Sequence, residues 1–147
     1  MGVTTDNAGN VYMAGKYELN AVFSGNTLTC AGNHDIYLAK YSPTGSLTWI
    51  RTAGGVIGDY AHAVACDGSN NVVIAGEIEG GMGGVISFPG STITLNAFND
   101  NDFMVAKYDL NGTLQWARRE GGWGSEKAEG VDIDNSGNID CVGKFKQ

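Results

Sequence analysis

The chain has 147 residues, 9 of them basic and 16 acidic for a net charge of −7, with 23 glycines and 2 prolines. The acidic balance and an isoelectric point near 4.6 argue against a protein that grips phosphate backbones, because that affinity comes largely from Lys and Arg. Hydrophobic residues at 42% and charged residues at 17% exclude a disordered polyelectrolyte, and no apolar run approaches the roughly 18 to 20 residues of a membrane-spanning helix.

Short β-branched and aromatic runs between Gly, Asp and Asn turns predict strands along the whole chain. The first two are Gly2 to Thr5 and Val11 to Tyr17, an antiparallel pair around the turn Asp6-Asn7-Ala8-Gly9-Asn10. After a connector come Ile36 to Tyr41 and Leu47 to Arg51, joined by Ser42-Pro43-Thr44-Gly45. Ala61 to Cys66 and Val72 to Ile78 follow around Asp67-Gly68-Ser69-Asn70-Asn71. Next are Phe103 to Tyr108 and Leu114 to Arg118, joined by Asp109-Leu110-Asn111-Gly112. Ala128 to Ile133 and Ile139 to Phe145 close the series around Asp134-Asn135-Ser136-Gly137-Asn138. No segment shows a sustained 3.6-residue apolar period with caps, so no helix is predicted.

The same order of elements recurs. The Asp/Asn/Gly turns stand 61 and 67 residues apart, and Gly15, Gly76 and Gly143 repeat at those spacings. Asp35 to Gly55 aligns without gaps to Asp102 to Gly122 at a shift of 67, with 10 of 21 positions identical. The extra residues of the second unit fall in one connector, between Gly76 and Asp102. Repeats of four short antiparallel strands predict an all-β fold of propeller blades, about two and a half of them in an incomplete ring. The units are 1–60, 61–127 and a leading hairpin over 128–147.

The Asp-x-x-Gly-Asn turn, the V-x-x-A-G strand, the D-[IF]-x-x-A-K-Y strand, the turn Gly followed by Trp and the closing Gly-Gly resemble the bacterial β-propeller repeats called SBBP repeats. That resemblance covers nearly the whole chain and implies a secreted or cell-surface protein, although no signal peptide is visible at the N-terminus. A second likeness, of T-G-x-L-x-W and N-G-x-L-x-W to quinoprotein-like propellers, shares the Trp, but the blades are too few to argue for a quinone site.

A ring of six to eight such blades needs on the order of 380 to 510 residues. The chain is therefore expected to be part of a larger ring or to assemble one from several copies, and exposed strand edges favour self-association.

Residues 132–140 match positions of a calcium loop, with Asp132, Asp134, Ser136 and Asp140 as the oxygen donors. The bidentate Glu at the last position is missing, and a plain hairpin turn explains the same residues. Trp49 and Trp116, at equivalent positions, are expected to pack between adjacent blades. Trp123 stands where the first unit has Val56, so the repeat does not require it; it reads first as a simple exposed or partly packed loop residue, and in the alternative as a loop aromatic that contacts a carbohydrate or a partner. Asp59, Tyr60 and His62 in one unit, and Glu126, Lys127 and Glu129 in the next, occupy the same loop-to-strand connection. Asp59 and Glu126 could form an acid/base pair if brought within about 5 to 10 Å, but their repetition favours residues that hold loop backbone. Lys40 and Lys107 are expected at a sheet edge or paired with an acid of the neighbouring blade. Asn111-Gly112-Thr113 is a glycosylation sequon already explained as a hairpin turn.

Cys30, Cys66 and Cys141 show no CxxC spacing, which disfavours structural zinc; they read as small buried residues or a free loop thiol, with a pairing among them left open.

Three functions are compatible with this reading: a non-catalytic module for protein interaction or scaffolding, a lectin-like propeller binding glycans through Trp123 and its neighbours, and a propeller lyase or hydrolase using the Asp59–His62 and Glu126–Glu129 loops. The first is expected, with no cofactor and neither nucleic acid nor membrane spans involved.

Overall fold

Three Asp/Asn/Gly turns close the same way, and each sets the register of a hairpin. Asp6 Oδ1 accepts the backbone N–H groups of Ala8 (3.0 Å) and Asn10 (2.9 Å), while Oδ2 accepts from the Asn10 amide (2.8 Å). Asp67 and Asp134 repeat this set with Ser69 and Asn71, and with Ser136 and Asn138. Such Asx turns offer the backbone a substitute for ladder hydrogen bonds. Gly9 and Gly137 take left-handed φ of +79° and +85° there; Asn70 takes +63° at the matching position of the middle turn, where Asn is the best-tolerated side chain.

The computed structural model describes residues 1–81, 84–98, 100–134 and 136–146. Fourteen strands and no helix occur among them: β1 (Gly2–Thr5), β2 (Val11–Tyr17), β3 (Asn20–Phe23), β4 (Asn26–Thr29), β5 (Asp35–Tyr41), β6 (Leu47–Ala53), β7 (Asp59–Cys66), β8 (Val72–Ile78), β9 (Val85–Ser87), β10 (Thr94–Asn96), β11 (Asp102–Tyr108), β12 (Leu114–Glu120), β13 (Lys127–Ile133) and β14 (Ile139–Lys144). They form two four-stranded antiparallel sheets, β1-β2-β5-β6 (sheet 1) and β7-β8-β11-β12 (sheet 2), and three hairpins, β3–β4, β9–β10 and β13–β14.

Ten strands are predicted from the sequence and fourteen are found among the described residues. The connector expected between Gly15 and Asp35, and its longer counterpart between Gly76 and Asp102, each fold into a hairpin. Leu28 of β4 and Leu95 of β10 stand 67 residues apart and face Ala21 and Ile86 across their hairpins. β3–β4 lays Ala21, Phe23 and Leu28 over Tyr37, with the Phe23 and Tyr37 rings 4.8 Å apart. β9–β10 inserts Ile86 and Phe88 into the space between the sheets.

The alternating faces of each strand divide the apolar residues among three layers. Ile36 and Leu38 of β5 look toward sheet 2 and meet Ile74, Met104 and Ala106, with Tyr12 and Ala14 beside them. Tyr37 and Ala39 look the other way, under β3–β4. β8 is buried along its whole length, since Val73 and Ala75 meet Ala128 and Ile133 of the terminal hairpin on the far face of sheet 2. Each fully buried aliphatic side chain in these layers contributes about 1.5–3 kcal/mol.

The seam between the sheets is also polar at its rim. Trp49 packs beside Tyr12, ring centroids 5.9 Å apart, and its Nε1 donates to the Leu110 carbonyl at 3.2 Å. Trp116 packs in the layer beneath β13–β14. Lys40 and Lys107 do not reach an acid of the neighbouring sheet as expected. They pair with the turn carboxylates of their own sheets, Asp6 at 3.8 Å and Asp67 at 3.7 Å, because β2–β5 and β8–β11 pairing brings those turns alongside.

Candidate functional site

Asp59 and Glu126 sit at equivalent corners and do equivalent work. The Asp59 N–H donates to the His34 carbonyl (2.9 Å) and its carboxylate accepts the Gly55 N–H (2.9 Å). The Glu126 N–H donates to Asn101 (2.7 Å) and its carboxylate accepts the Gly122 N–H (3.0 Å). Both are buried. Each faces a second buried acid, Asp35 or Asp102, whose Oδ2 accepts a loop N–H from Ala31 (2.8 Å) or Phe98 (2.6 Å) and whose Oδ1 lies against the Cα of Gly54 or Gly121. Asp59 and Glu126 therefore belong to separate corners, one per sheet.

The corners differ in charge. In sheet 2, Arg119 reaches Asp102 at 3.2 Å; the equivalent position in sheet 1 is Thr52, which carries no charge. Burial, with Asp35 and Glu79 nearby, pushes the Asp59 carboxyl up to about 7. Burial also raises Asp102, with Arg119 opposing.

Tyr60 and His62 point to the opposite side of β7 from Asp59 and lie in a polar cluster. The Tyr60 hydroxyl donates to Glu79 Oε1 (3.0 Å) and lies 3.2 Å from His34 Nδ1, while Glu79 Oε2 accepts the Gly58 N–H (3.0 Å). Burial and the Glu79 hydrogen bond push the Tyr60 hydroxyl up to about 12, which makes it a poor base at neutral pH. The Lys16 ammonium stands 5.1 Å from the Tyr60 ring, and the His62 ring stacks on it at 6.2 Å. His62 Nε2 is 2.9 Å from Glu77 Oε1, which Lys127 also approaches at 3.8 Å, and Asn101 donates to Oε2 at 3.0 Å. Burial alone would raise Glu77, but the hydrogen bonds from His62 and Asn101, with Lys127 nearby, hold its carboxyl below the usual range. The next hairpin carries the same cross-strand pair with altered residues, Lys144 to Glu129 at 2.8 Å.

Trp123 is 82% exposed, and its ring meets the edge of the half-exposed Phe98 at 5.9 Å, with the Arg119 guanidinium 6.0 Å from Phe98. Of the calcium-loop residues, Asp134 is committed to its own turn, and Asp132 and Asp140 face each other across β13 and β14. Asn135 of that loop lies outside the described residues. Among the described residues no three His, Cys, Asp or Glu side chains are placed to hold a metal ion. Cys30, Cys66 and Cys141 are free thiols, and burial pushes Cys66 up to about 11. A groove of about 820 Å³ opens elsewhere along the seam, among Phe88, Ile93, Tyr108 and Leu114, and none of the candidate residues lines it.

Sequence reasoning missed His34, Glu77, Glu79 and Phe98. The acids Asp35 and Asp102 were visible as the repeated opening residue of the D-[IF]-x-x-A-K-Y motif, and that repetition is a signal for a load carried at both corners. The partners of Tyr60 had no such signal, because they come from two separate segments, His34 just before β5 and Glu79 just after β8. Neither a protein-family model nor a curated protein matches the chain.

Proposed function

We propose that the two sheets are blades of a β-propeller and that the chain is a non-catalytic module for protein interaction or scaffolding, secreted or displayed on a bacterial cell surface. One observation carries the non-catalytic part. Asp59, Glu126, Asp35 and Asp102, the acids best placed for chemistry, each spend an oxygen on loop backbone at positions the repeat duplicates. A group that does the same work in both sheets holds the scaffold. The face-to-face stacking of two equivalent sheets supports the propeller reading, and the cell-surface placement rests on the resemblance of the repeat motifs alone.

The test is binding of the immobilised chain to bacterial envelope proteins and envelope polysaccharides, measured separately. Saturable binding to a protein, retained in Asp59→Asn and His62→Ala, supports this reading; loss of binding in either variant would place function at the acid corner or the polar cluster instead. The exposed Trp123–Phe98 pair beside Arg119 favours a second reading, a lectin-like module, since an exposed aromatic ring with a donor nearby suits a sugar ring. Saturable polysaccharide binding abolished by Trp123→Ala would establish it.

A further inference from the structure

The seam between sheets 1 and 2 consists of two complementary halves, and the repeat places both halves again on outward faces. On one half, Lys40 and Trp49 donate to the Leu110 carbonyl (3.3 and 3.2 Å), and Arg51 donates to Gly112 (2.7 Å) and Asn111 (3.0 Å). Lys107, Trp116 and Arg118 stand 67 residues on. Among the described residues Arg118 donates only to the Ala117 carbonyl at 2.9 Å, as Arg51 Nη1 does to Ile50. The carbonyls equivalent to Leu110, Asn111 and Gly112 are those of Pro43, Thr44 and Gly45, in a turn whose glycine has the same left-handed φ, +83° against +77°.

The hairpins repeat the same complementarity. β9 joins the end of sheet 1 through two backbone hydrogen bonds between Ser87 and Gly54 (3.1 and 3.0 Å), and the Val85 carbonyl lies where a Gly55 side chain would be. The corresponding Gly122 has nothing within 4 Å of its Cβ position. In β3, Val22 takes the place of Ser87 and is 67% exposed.

We propose that these halves meet between two copies of this chain, the β13–β14 hairpin of one copy replacing β1–β2 in the sheet 1 of the next. The inference rests on reading the sheets as stacked blades. Exchange is required because β13–β14 already covers the inner part of the far face of sheet 2, where β1–β2 of an intact incoming sheet would have to lie. The two hairpins are close copies: 2–17 and 130–145 share 8 of 16 residues. The shared residues include the two glycines that neighbours demand. A Cβ at Gly2 would meet Val64 N at 2.9 Å, and one at Gly15 would meet the Tyr37 ring at 3.0 Å; Gly130 and Gly143 keep both places clear, whereas β7 has Ala63 at the first.

β14 pairs only with β13 among the described residues, on the side opposite the edge where its counterpart β2 takes β5. The β2–β5 register sets Tyr12 opposite Lys40, so Asp140, which replaces Tyr12, would offer that ammonium a carboxylate. Edge hydrogen bonds lost within one chain return between chains, and the Trp116, Arg118 and β3 contacts come in addition.

Sedimentation and light scattering over a wide concentration range test this. The wild type is expected to shift from monomer to dimer or larger. Gly122→Val places a side chain in open space within one chain but in the path of the incoming β3, so it should remain monomeric with an unchanged melting temperature. Arg118→Glu should weaken association about tenfold by removing the donor to the incoming turn. A wild type that stays monomeric throughout overturns the inference while leaving the capture of other partners, tested separately, untouched. Association undiminished in both variants shows that the copies meet elsewhere and overturns it equally.

Discussion

Asp59→Asn is expected to gain stability relative to the wild type as pH rises from acid to above neutral. Asp59 is buried beside Asp35 and Glu79, and its carboxyl is pushed from the ordinary 3.8 up to about 7. A folded-state value above the unfolded one means that the folded protein holds a proton the unfolded chain releases. The associated stability is fully present below 3.8, declines as pH rises, and is gone above about 7. At about 1.4 kcal/mol for each pH unit between 3.8 and about 7, the loss is bounded at about 4–5 kcal/mol, and solvent relaxation brings the expected figure to about 2–4 kcal/mol. The amide keeps an oxygen for the Gly55 N–H and cannot ionise, so its stability does not fall across that window. Any fixed cost of placing an NH₂ group there is the same at every pH and cancels from the slope. Urea unfolding of both proteins across the range measures the difference directly. A difference that does not grow between pH 4 and pH 8 would refute the placement of Asp59 as an uncompensated buried acid.

Gly121→Ala should destabilise by about 1–3 kcal/mol in thermal or urea unfolding, because its Cβ would collide with Asp102 and Glu126; Gly122→Ala, with open space around it, should change stability by less than about 0.5 kcal/mol. Asp67→Ala removes the acceptor for two turn N–H groups and the Lys107 pair, and a loss of about 1–3 kcal/mol is expected at neutral pH. Glu77→Gln should cost stability at neutral pH and progressively less in acid, since a carboxyl held below its ordinary 4.5 contributes above that value and loses its contribution as pH falls through the folded one; a pH-independent effect would show that the His62 and Lys127 contacts do not hold its charge. Trp123→Ala should leave the melting temperature unchanged, because the ring is 82% exposed.

The ten predicted strands were legible because each flanks a tight turn of Asp, Asn, Ser, Pro or Gly, and because the central ones, β5, β8 and β11, add a run of buried residues. Ile36 to Tyr41 shows why: residues of both parities are apolar because both faces are covered. The β3–β4 and β9–β10 hairpins were not legible because they do not hold themselves together. β9 and β10 have three residues each, too few for a hairpin stable alone, and their order comes from Ile86 and Phe88 entering a core made by other strands. A trace of them does stand in the sequence, in Phe23-Ser24-Gly25 and Phe88-Pro89-Gly90, each followed by a Thr-Leu pair eight residues before the strand Asp. It becomes readable as a hairpin only when the cover it provides is known.

The candidate site divides along the same line. Where the units agree, the residue carries the scaffold: Asp6, Asp67 and Asp134 close turns, and Asp35 and Asp102 hold loops. Where they differ, the scaffold makes no demand, and the choice of residue is free for other uses. Trp123 replaces Val56, Phe98 replaces Ala31 and Arg119 replaces Thr52, all at the 67-residue shift. These three departures come from two segments of the chain, Phe98 from one and Arg119 and Trp123 from the other, yet meet in one exposed patch. The polar cluster is the counter-example that limits the rule. Tyr60, His62 and Glu77 also differ from Lys127, Glu129 and Lys144, but His62–Glu77 and Glu129–Lys144 preserve a cross-strand charge pair with the residues changed, so that variation is compensated within the fold. The variation at Trp123 and Phe98 has no such compensation: an indole that is largely exposed contributes little to folding, and its cost in exposed apolar surface is offset only if something covers it. The aromatic patch is therefore where the lectin-like reading proposed above is best tested, because a ligand specific to this chain, as distinct from its repeat, would have the most to recognise there.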